Sequence, residues 1–355
     1  MIRVALFGYG TVGSGVQEIA DLNKERVSLV KIFDREEKRE EIGSRFEGNK
    51  EKILEDPSIS TVVEAMGGDT LAHEVIVSAL KSHKHVITSN KETVAKHFGE
   101  YLSLAKENGV TFQCEAAVGG GIPLLAPIAS ISSFDEITSI EGILNGTTNF
   151  ILTRMEEGME YEEALSLAQE KGFAERDPSA DIDGIDMVRK IAILASIATK
   201  RKVDIAKIPH YGIRNLNKEI LNEIHKENRV LKFIAEFSVN KGFLEIEVTP
   251  KALKKDHPLA ALKEELNGVR VIARHNGPLC FFGKGAGKED TASAIFQDLM
   301  RVEENRGFPP FSLGEEEKIA NKEEATYLVF RKGEKEIVKN PYPSMLEEAD
   351  FVAKL

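Results

Sequence analysis

The chain has 355 residues, of which 42% are hydrophobic and 30% are charged, and it carries a formal net charge of −11. The length predicts two domains, and the acidic balance excludes nucleic acid and anionic membrane surfaces as general partners. Two cysteines are too few for a disulfide framework. The sequence shows neither a secretory leader nor an apolar run of 18 residues, so we expect a cytoplasmic protein.

The first part of the chain alternates between strand and helix patterns. Strands are predicted at 2–7, 27–33, 61–66, 86–88 and 110–115, and helices are predicted at 11–22, 71–81 and 91–108. Strands that alternate with helices are joined by crossover connections. This order therefore predicts a parallel sheet that is covered by helices on both faces.

A glycine cluster at 119–121 marks a change to a mixed pattern. Helices are predicted at 122–132, 147–157, 161–171, 185–199 and 290–301, and strands at 136–144, 230–239, 243–248, 269–273, 279–282 and 327–332. The fold class is therefore α/β, with a Rossmann-type parallel-sheet domain and a second, α+β domain. We place the first domain at 1–134 and the second at 135–284. The helix near 285–305 is a candidate to return to the first domain, and 306–355 is a tail of unassigned role.

A G-x-G-x-x-G motif formed by Gly8, Gly10 and Gly13 follows the first strand directly and opens a helix. This context predicts a dinucleotide site, because the glycines allow a tight turn, a close approach of the pyrophosphate and close helix packing. The helix start at Thr11 and Val12 supplies backbone N–H groups for the phosphates. The alternative is a strand–turn–helix corner that needs glycine for packing alone.

The choice between NAD and NADP stays open at this stage. Asp34 lies 21 residues beyond Gly13, at the end of the second predicted strand, where an acid binds the ribose hydroxyls of NAD. Arg35 follows it at once, and an arginine there can hold the 2′-phosphate of NADP.

Two further positions end strands at the edge where such sheets bind ligands. Gly67 follows the third strand, and Lys91 follows the fourth. Because ligands lie outside the carboxyl ends of parallel strands, we expect Lys91 near the nicotinamide. The alternative is a solvent-exposed lysine at the start of a helix.

A loop rich in carboxylates precedes an apolar helix. Five acids precede Lys190, namely Glu175, Asp177, Asp181, Asp183 and Asp186. Asp186 and Lys190 are four residues apart on one helix, so their side chains meet, and a lysine beside a carboxylate in an apolar setting is suited to proton transfer. Glu175 and Asp181 are candidates to bind a cationic amino group, which indicates an amino-acid substrate. The alternative is a solvated loop that caps the helix.

The turn before the helix predicted at 147–157 carries small polar residues. Gly146 and Thr147 lie there, and the hydroxyl and free N–H groups suit a substrate carboxylate. In the alternative reading, Thr147 or Thr148 is the N-cap of the helix.

These residues resemble the homoserine dehydrogenase family over roughly residues 1 to 305. The matching stretches are FGYGTVGSGV, VVEAMGG, ITSNKETVA, CEAAVGGGIPLL, GILNGTTNFILT, KGFAERDPSADIDGIDMVRKIAILA, HPLA and GKGAG with TASA. One departure is Phe173, where the family often has tyrosine. The resemblance implies reversible NAD(P)-dependent interconversion of L-homoserine and L-aspartate 4-semialdehyde, in threonine, methionine and isoleucine biosynthesis.

The resemblance also implies roles for individual residues. Lys190 is expected to donate and accept the proton, and Asp186 is expected to orient Lys190. Lys91 and Gly287 are expected to lie at the cofactor. A structural sodium ion is expected on carbonyl oxygens of four residues, Glu115, Val118, Gly120 and Ile122. The second domain is expected to bind substrate and to form a homodimer or a dimer of dimers.

Two other functions are weighed against this one. A semialdehyde dehydrogenase that forms an acyl phosphate needs a cysteine nucleophile, and neither Cys114 nor Cys280 has a visible histidine partner. A non-catalytic nicotinamide sensor would need the glycine motif but not the Asp186–Lys190 pair.

Overall fold

The computed structural model describes residues 1–305, 311–316, 318–320, 325–341 and 343–355. Its strands are β1 (Ile2–Phe7), β2 (Val27–Phe33), β3 (Thr61–Glu64), β4 (His85–Thr88), β5 (Phe112–Gln113), β6 (Ile137–Ile143), β7 (Arg229–Asn240), β8 (Phe243–Lys254), β9 (Leu266–Ala273), β10 (Gly277–Lys284), β11 (Thr326–Arg331), β12 (Glu334–Lys339) and β13 (Phe351–Lys354). Its helices are α1 (Thr11–Leu22), α2 (Arg39–Ile42), α3 (Lys50–Leu54), α4 (Thr70–Lys81), α5 (Lys91–Glu107), α6 (Leu125–Ser132), α7 (Gly146–Glu156), α8 (Tyr161–Glu170), α9 (Ser179–Ile182), α10 (Ile185–Thr199), α11 (Lys218–Lys226), α12 (Lys288–Glu303) and α13 (Pro343–Glu347). Within the described residues, no helix is both long enough and apolar enough to cross a membrane.

The chain forms two compact units. The first comprises 1–134, 196–202 and 286–315, and the second comprises 135–195, 203–285 and 316–355. The first unit contains a five-stranded parallel sheet in the order β2-β1-β3-β4-β5. The strand order reverses between β1 and β3, and ligands of such sheets bind at the carboxyl ends of the strands beside this switch point.

Helix α12 belongs to the first unit and packs against α1, although the two lie far apart in sequence. Val16 and Ala20 of α1 share a buried cluster with Ile295 and Leu299 of α12. Gly15 allows the close approach, because a Cβ at this position would lie 2.9 Å from the Lys288 carbonyl oxygen. The start of α12 is therefore held beside the helix that follows the glycine motif.

The second unit contains an eight-stranded sheet in the order β10-β9-β6-β7-β8-β13-β11-β12. Its strands pair antiparallel, except that β13 pairs parallel with β8. The three strands after residue 325 thus extend this sheet. Tyr327 Oη donates a hydrogen bond of 2.6 Å to Glu247, and the Lys354 ammonium pairs with Glu236 and Glu247. These buried contacts of β7 and β8 with the C-terminal strands help to hold those strands on the sheet.

Several element boundaries differ from those predicted, each for a local reason. The helix predicted from 122 begins at Leu125, because the Glu115 carboxylate accepts hydrogen bonds from the Leu124 and Leu125 backbone N–H groups. The strand predicted to end at Glu115 ends at Gln113, where a 3-10 turn takes over. β9 and β10 are longer than predicted because Gly277 pairs with Ala273 directly across the turn.

Candidate active site

The glycine motif lies at the carboxyl end of β1 and is shaped by backbone contacts. Gly8 has φ +98°, and a Cβ there would lie 2.6 Å from the Ala65 carbonyl oxygen. A Cβ on Gly13 would lie 2.0 Å from the Gly8 carbonyl oxygen. These two glycines are therefore required for the turn and for helix packing, as in a dinucleotide-binding corner.

Gly10 is different, because a Cβ at this position would meet nothing within 4 Å. It is exposed and forms the N-cap of α1 without a side-chain cap. The N-terminus of a helix offers backbone N–H groups and positive dipole charge. This open space at the start of α1 fits the pyrophosphate of a dinucleotide.

Asp34, at the end of β2, is tied to the glycine motif. Its Oδ2 accepts a hydrogen bond of 2.5 Å from the Tyr9 backbone N–H, and its Oδ1 accepts one from the Arg35 N–H. The Arg35 side chain is 84% exposed, and its Nε lies 3.9 Å from Asp34 Oδ1. The neighbouring cations Lys38 and Arg39 are paired with glutamates on the same turn. Among these three neighbouring cations, Arg35 is the best placed to meet a ligand.

A buried carboxyl group at the end of β3 organises the next loop. Glu64 is fully buried, its Oε1 accepts a hydrogen bond of 2.7 Å from the Met66 N–H, and its Oε2 accepts one from the Thr88 hydroxyl. Burial raises the pKa of Glu64 to about 7. The sequence analysis missed this residue, although an acid that closes an apolar strand was a visible signal.

Asn90 fixes the loop that contains Gly67. Its Nδ2 donates a hydrogen bond of 2.6 Å to the Gly68 carbonyl, and its Oδ1 caps α5 by accepting from Glu92 and Thr93. Lys91 is the first residue of α5, where a cation opposes the helix dipole by about 0.3–1 kcal/mol. Lys91 thus begins the helix that follows β4, at the carboxyl end of that strand.

Gly287 is the N-cap of α12, in the same unit. Its φ is +142°, and a Cβ there would lie 2.6 Å from Asp290 Oδ2. Since α12 starts beside α1, Gly287 lies in the region of the glycine motif.

The segment predicted to hold a sodium ion is a buried turn that contains two left-handed glycines, Gly119 and Gly120. The Glu115 carboxylate is committed to the N–H groups of Leu124, Leu125 and Ala126 and to Arg301. Carbonyl oxygens remain the donors that this turn offers to a ligand. Neutral oxygen donors in a buried turn fit a hard monovalent cation.

In the second unit, Asp186 and Lys190 form a buried ion pair on α10. The distance between Lys190 Nζ and Asp186 Oδ2 is 2.8 Å, and the two side chains are 9% and 6% exposed. The Lys190 ammonium also donates a hydrogen bond of 2.6 Å to the Leu144 carbonyl oxygen. The lysine is therefore held between a helix and the end of β6.

Asn145 joins the residues around this pair. Its Nδ2 donates to Asp181 Oδ1 at 2.7 Å and to Asp186 Oδ2 at 3.0 Å. Its Oδ1 accepts a hydrogen bond of 2.9 Å from the Thr148 N–H and so caps α7. The alternative that Thr147 or Thr148 is the N-cap is therefore wrong. The sequence analysis did not single out Asn145, although asparagine before a helix is a known capping signal.

The remaining carboxylates of the acidic loop divide into two groups. Asp177 accepts hydrogen bonds from Ser179, and Asp183 pairs with Arg214 at 2.6 Å, so both serve the loop itself. Asp181 accepts a hydrogen bond from Asn145, whereas the Glu175 side chain is exposed. The structure thus brings Asp181, Asp186 and Lys190 together and leaves Glu175 in solvent.

Gly146 and Thr147 begin α7 beside Asn145. A Cβ on Gly146 would lie 2.8 Å from the Glu265 carbonyl oxygen, so space is tight on that side. The Thr147 hydroxyl donates a hydrogen bond of 2.6 Å to the Phe173 carbonyl oxygen. Thr147 therefore ties α7 to the start of the acidic loop.

Family models match residues in both units of the chain. Residues 8–115 match the family model described as the NAD binding domain of homoserine dehydrogenase, and residues 123–300 match the model described as homoserine dehydrogenase. A homoserine dehydrogenase of Bacillus subtilis is 38% identical over 86% of this chain and 73% of its own length.

Solved structures give the same result. The structure of a homoserine dehydrogenase from Thiobacillus denitrificans aligns with a TM-score of 0.86 at 32% identity, and the alignment covers 94% of this chain and 84% of that one. A hyperthermophilic archaeal homoserine dehydrogenase mutant, solved in complex with NADPH, aligns with a TM-score of 0.75 at 28% identity, over 87% of this chain and 99% of that one.

Two glycine substitutions separate cofactor binding from folding. Because the space at Gly10 is open, Gly10→Ala should change the free energy of unfolding by about 1 kcal/mol or less and weaken NAD(P) binding at least about tenfold. Gly13→Ala should destabilise the fold by about 3 kcal/mol. Urea unfolding and fluorescence titration with NADPH measure both effects. Equal destabilisation by the two substitutions would contradict this assignment.

The raised pKa of Glu64 predicts a dependence of stability on pH. The folded state binds the proton of the Glu64 carboxyl more tightly than the unfolded state does. The contribution of this carboxyl to the free energy of unfolding is therefore complete below about pH 4.5 and is lost as the pH rises through about 7. Glu64→Gln should remove this loss, which is roughly 3 kcal/mol. In urea unfolding from pH 4.5 to 8, the free energy of unfolding of Glu64→Gln should therefore rise relative to that of the wild type. A constant difference between the two proteins would rule the account out.

Proposed function

Because the chain belongs to the homoserine dehydrogenase family, we propose that it interconverts L-homoserine and L-aspartate 4-semialdehyde with Lys190 as the group that transfers the proton. The single observation that carries this role is the buried contact of the Lys190 ammonium with Asp186 and the Leu144 carbonyl. Proton transfer needs a group that is held in place and can exist in both protonation states, and a buried lysine beside a carboxylate meets both needs.

The reaction balances with one hydride and one proton. When bound at the glycine motif, a nicotinamide cofactor would supply the hydride to the aldehyde carbon in reduction and would accept it in oxidation. In reduction, Lys190 Nζ gives its proton to the carbonyl oxygen as the C–H bond forms, and L-homoserine results. In oxidation, neutral Lys190 takes the hydroxyl proton while the hydride leaves the same carbon. Oxidation is therefore favoured by alkaline pH, given the reference pKa of about 10.4 for lysine.

Asp186 acts through Lys190 as a positioning residue. Its carboxylate holds the ammonium at 2.8 Å and is itself held by Asn145. An anion beside the amine favours the protonated form that reduction requires. The Leu144 carbonyl accepts a further hydrogen bond from the Lys190 ammonium, which helps to fix its orientation.

The substrate's charged groups are matched by the surrounding residues. We assign the amino group to Asp181 and Glu175, because Asp181 is already held in this cluster and Glu175 is a solvent-exposed acid on the same loop. The carboxylate is assigned to the start of α7 at Gly146 and Thr147, where a helix N-terminus favours an anion. Lys91 is assigned to the nicotinamide end of the cofactor site.

We propose that both NAD and NADP are accepted, with Arg35 as the main determinant for NADP. One relative, from Pseudomonas canavaninivorans, is named NAD(+)-dependent homoserine dehydrogenase, and the archaeal structure contains NADPH. Asp34 offers a carboxylate for the ribose hydroxyls and Arg35 offers an exposed guanidinium for a 2′-phosphate. Thr11 and Val12, at the start of α1, and Gly67 complete the proposed cofactor contacts.

Further assignments follow from the family. We propose that a sodium ion binds carbonyl oxygens of four residues, Glu115, Val118, Gly120 and Ile122, and that the protein forms a homodimer or a dimer of dimers. Its product would serve threonine, methionine and isoleucine biosynthesis. The semialdehyde dehydrogenase alternative is not favoured by the family models that the chain matches. Cys114 is also a poor nucleophile, because it is buried and burial raises the pKa of its thiol well above the ordinary value.

The role of Lys190 predicts a loss of turnover without a loss of cofactor binding. Lys190→Ala should lower kcat by about 10²–10⁴-fold, which is the usual contribution of a general acid or base. The Kd for NADPH should stay within a few-fold of the wild type. Turnover that survives within a few-fold would show the assignment to be wrong. A larger loss in Lys91→Ala would move the proton-transfer role to that lysine.

The role of Arg35 predicts a change in cofactor preference. Arg35→Ala should raise KM for NADP about 10- to 100-fold, since a charge-assisted bond contributes about 1.5–3 kcal/mol. KM for NAD should change little. Lys38→Ala is the matched control, because Lys38 lies on the same turn but is paired with Glu41 at 2.6 Å. Equal effects of Arg35→Ala on the two cofactors would refute the role.

A further inference from the structure

Two histidines and a glutamate converge where α4 meets α5. His73 lies on the first turn of α4, and His97 and Glu100 lie on α5. His73 Nε2 and His97 Nδ1 lie 3.9 Å and 3.7 Å from Glu100 Oε2. One ligand atom from each residue lies within 4.8 Å of the other two. None of these residues takes part in the proposed reaction.

The two rings are arranged in a way that suits neutral imidazoles. Their centroids are 3.9 Å apart and the rings are stacked. Two charged imidazolium rings would repel each other at this distance, whereas neutral rings stack without that cost. The neutral form is also the form that binds metal ions, through one nitrogen of each ring.

The His73 nitrogen that points away from Glu100 has a hydrogen-bond partner. His73 Nδ1 lies 2.8 Å from Tyr101 Oη, and Tyr101 Oη lies 2.5 Å from Thr93 Oγ1. Tyr101 is fully buried, and burial raises the pKa of its hydroxyl, so it stays protonated. It can accept from His73 and donate to Thr93, which leaves His73 Nε2 as a lone-pair donor.

The other ring nitrogen of His97 lies near a second carboxylate. Its Nε2 lies 3.3 Å from Asp69 Oδ1. Histidines that bind metals usually give their second N–H to a carboxylate, a carbonyl or a water, and this fixes the tautomer. His97 Nδ1 faces Glu100 while Nε2 lies on the Asp69 side. The hydrogen bond to Tyr101 thus sets His73 to present a lone pair to Glu100, and His97 Nδ1 faces the same carboxylate.

The local charge also favours a cation. Asp69, Glu92 and Glu100 are three carboxylates, and Lys96 is the ammonium between the first two, 3.0 Å from each. With neutral rings, these four groups carry an excess of negative charge. A divalent ion among them would be attracted rather than repelled.

We propose that His73 Nε2, His97 Nδ1 and the Glu100 carboxylate bind one divalent transition-metal ion of the Zn²⁺ class. Two imidazoles and one carboxylate are typical zinc ligands, and they disfavour Mg²⁺ and Ca²⁺, which prefer oxygen. Ligand atoms around tetrahedral zinc are about 3.3 Å apart, given bonds of about 2.0–2.1 Å. The two nitrogens at 3.9 Å and 3.7 Å from Glu100 Oε2 must therefore move closer to it, and the 47% exposed Glu100 side chain can supply part of that movement. The two rings must also turn out of their stacked arrangement so that both lone pairs meet one ion.

Such an ion would join α4 to α5. These helices follow the loop of Gly67 and Gly68 and the capping residue Asn90, which are linked by the hydrogen bond from Asn90 to Gly68. The ion would therefore stabilise the part of the first unit that carries Lys91. It would act outside the reaction, as a clamp between two helices.

Metal titration of the full chain tests this site. The protein is first freed of metal with a chelator, then titrated with Zn²⁺ by calorimetry and with Co²⁺ by visible absorption. We expect one saturable site per chain. His73→Gln and His97→Gln should each weaken it at least about tenfold, and Tyr101→Phe, which removes the outer partner of His73, should weaken it about tenfold.

His225→Gln is the matched control. His225 Nε2 lies 2.7 Å from Glu156, so this residue also pairs with a carboxylate, but it belongs to a different unit. Its substitution should leave the affinity unchanged. Absence of a saturable site in the wild type, or equal affinity in the wild type and both His73→Gln and His97→Gln, would overturn the proposal. Glu100→Gln changes the exposed ligand, where a substitution disturbs folding least. This variant should also bind the metal ion more weakly.

Discussion

The second unit depends on one side-chain amide. Asn145 lies between β6 and α7, and its Nδ2 group contacts both Asp181 and Asp186 while its Oδ1 caps α7. Two carboxylates so close to each other repel unless donors separate them. The amide supplies such donors, and Lys190 supplies the compensating charge. Removing one member of a buried ion pair typically costs about 3–5 kcal/mol, so the cluster is both a structural and a chemical unit.

The first unit uses buried carboxylates in a similar way, as caps for backbone rather than for catalysis. Glu64 holds Met66 and Thr88 at the carboxyl ends of β3 and β4, and Glu115 holds the start of α6. Asp298 accepts a hydrogen bond from the Glu115 N–H, and burial raises its pKa to about 7. These internal caps keep the loops that surround a dinucleotide in one conformation, and a preorganised loop binds its ligand at a lower entropic cost.

The sequence allowed the parallel sheet, the glycine corner and the Asp186–Lys190 pair to be predicted, because each depends on local periodicity or fixed spacing. The local contacts of Asn145 with Thr148 and of Glu64 with Met66 had visible signals in the sequence, but their contacts with Asp181, Asp186 and Thr88 come from segments that only the fold brings together. The proposed metal site could not be predicted for the same reason, because His73 and His97 are 24 residues apart and show no ligand spacing. The strands after residue 325 joined the second sheet through β8, a long-range pairing that no local pattern specifies.

The central claim is that Asn145 holds the carboxylates that position Lys190. Steady-state oxidation of L-homoserine by Asn145→Ala, beside Thr148→Val as a control, tests it most directly. Among the described residues, the Thr148 hydroxyl hydrogen-bonds to Asn145 and not to Asp181 or Asp186. The account predicts that kcat falls about 100-fold in Asn145→Ala, as small misplacements of a reacting group do, while the Kd for NADPH is kept and Thr148→Val stays near the wild type. A folded Asn145→Ala protein with kcat within twofold of the wild type would contradict it.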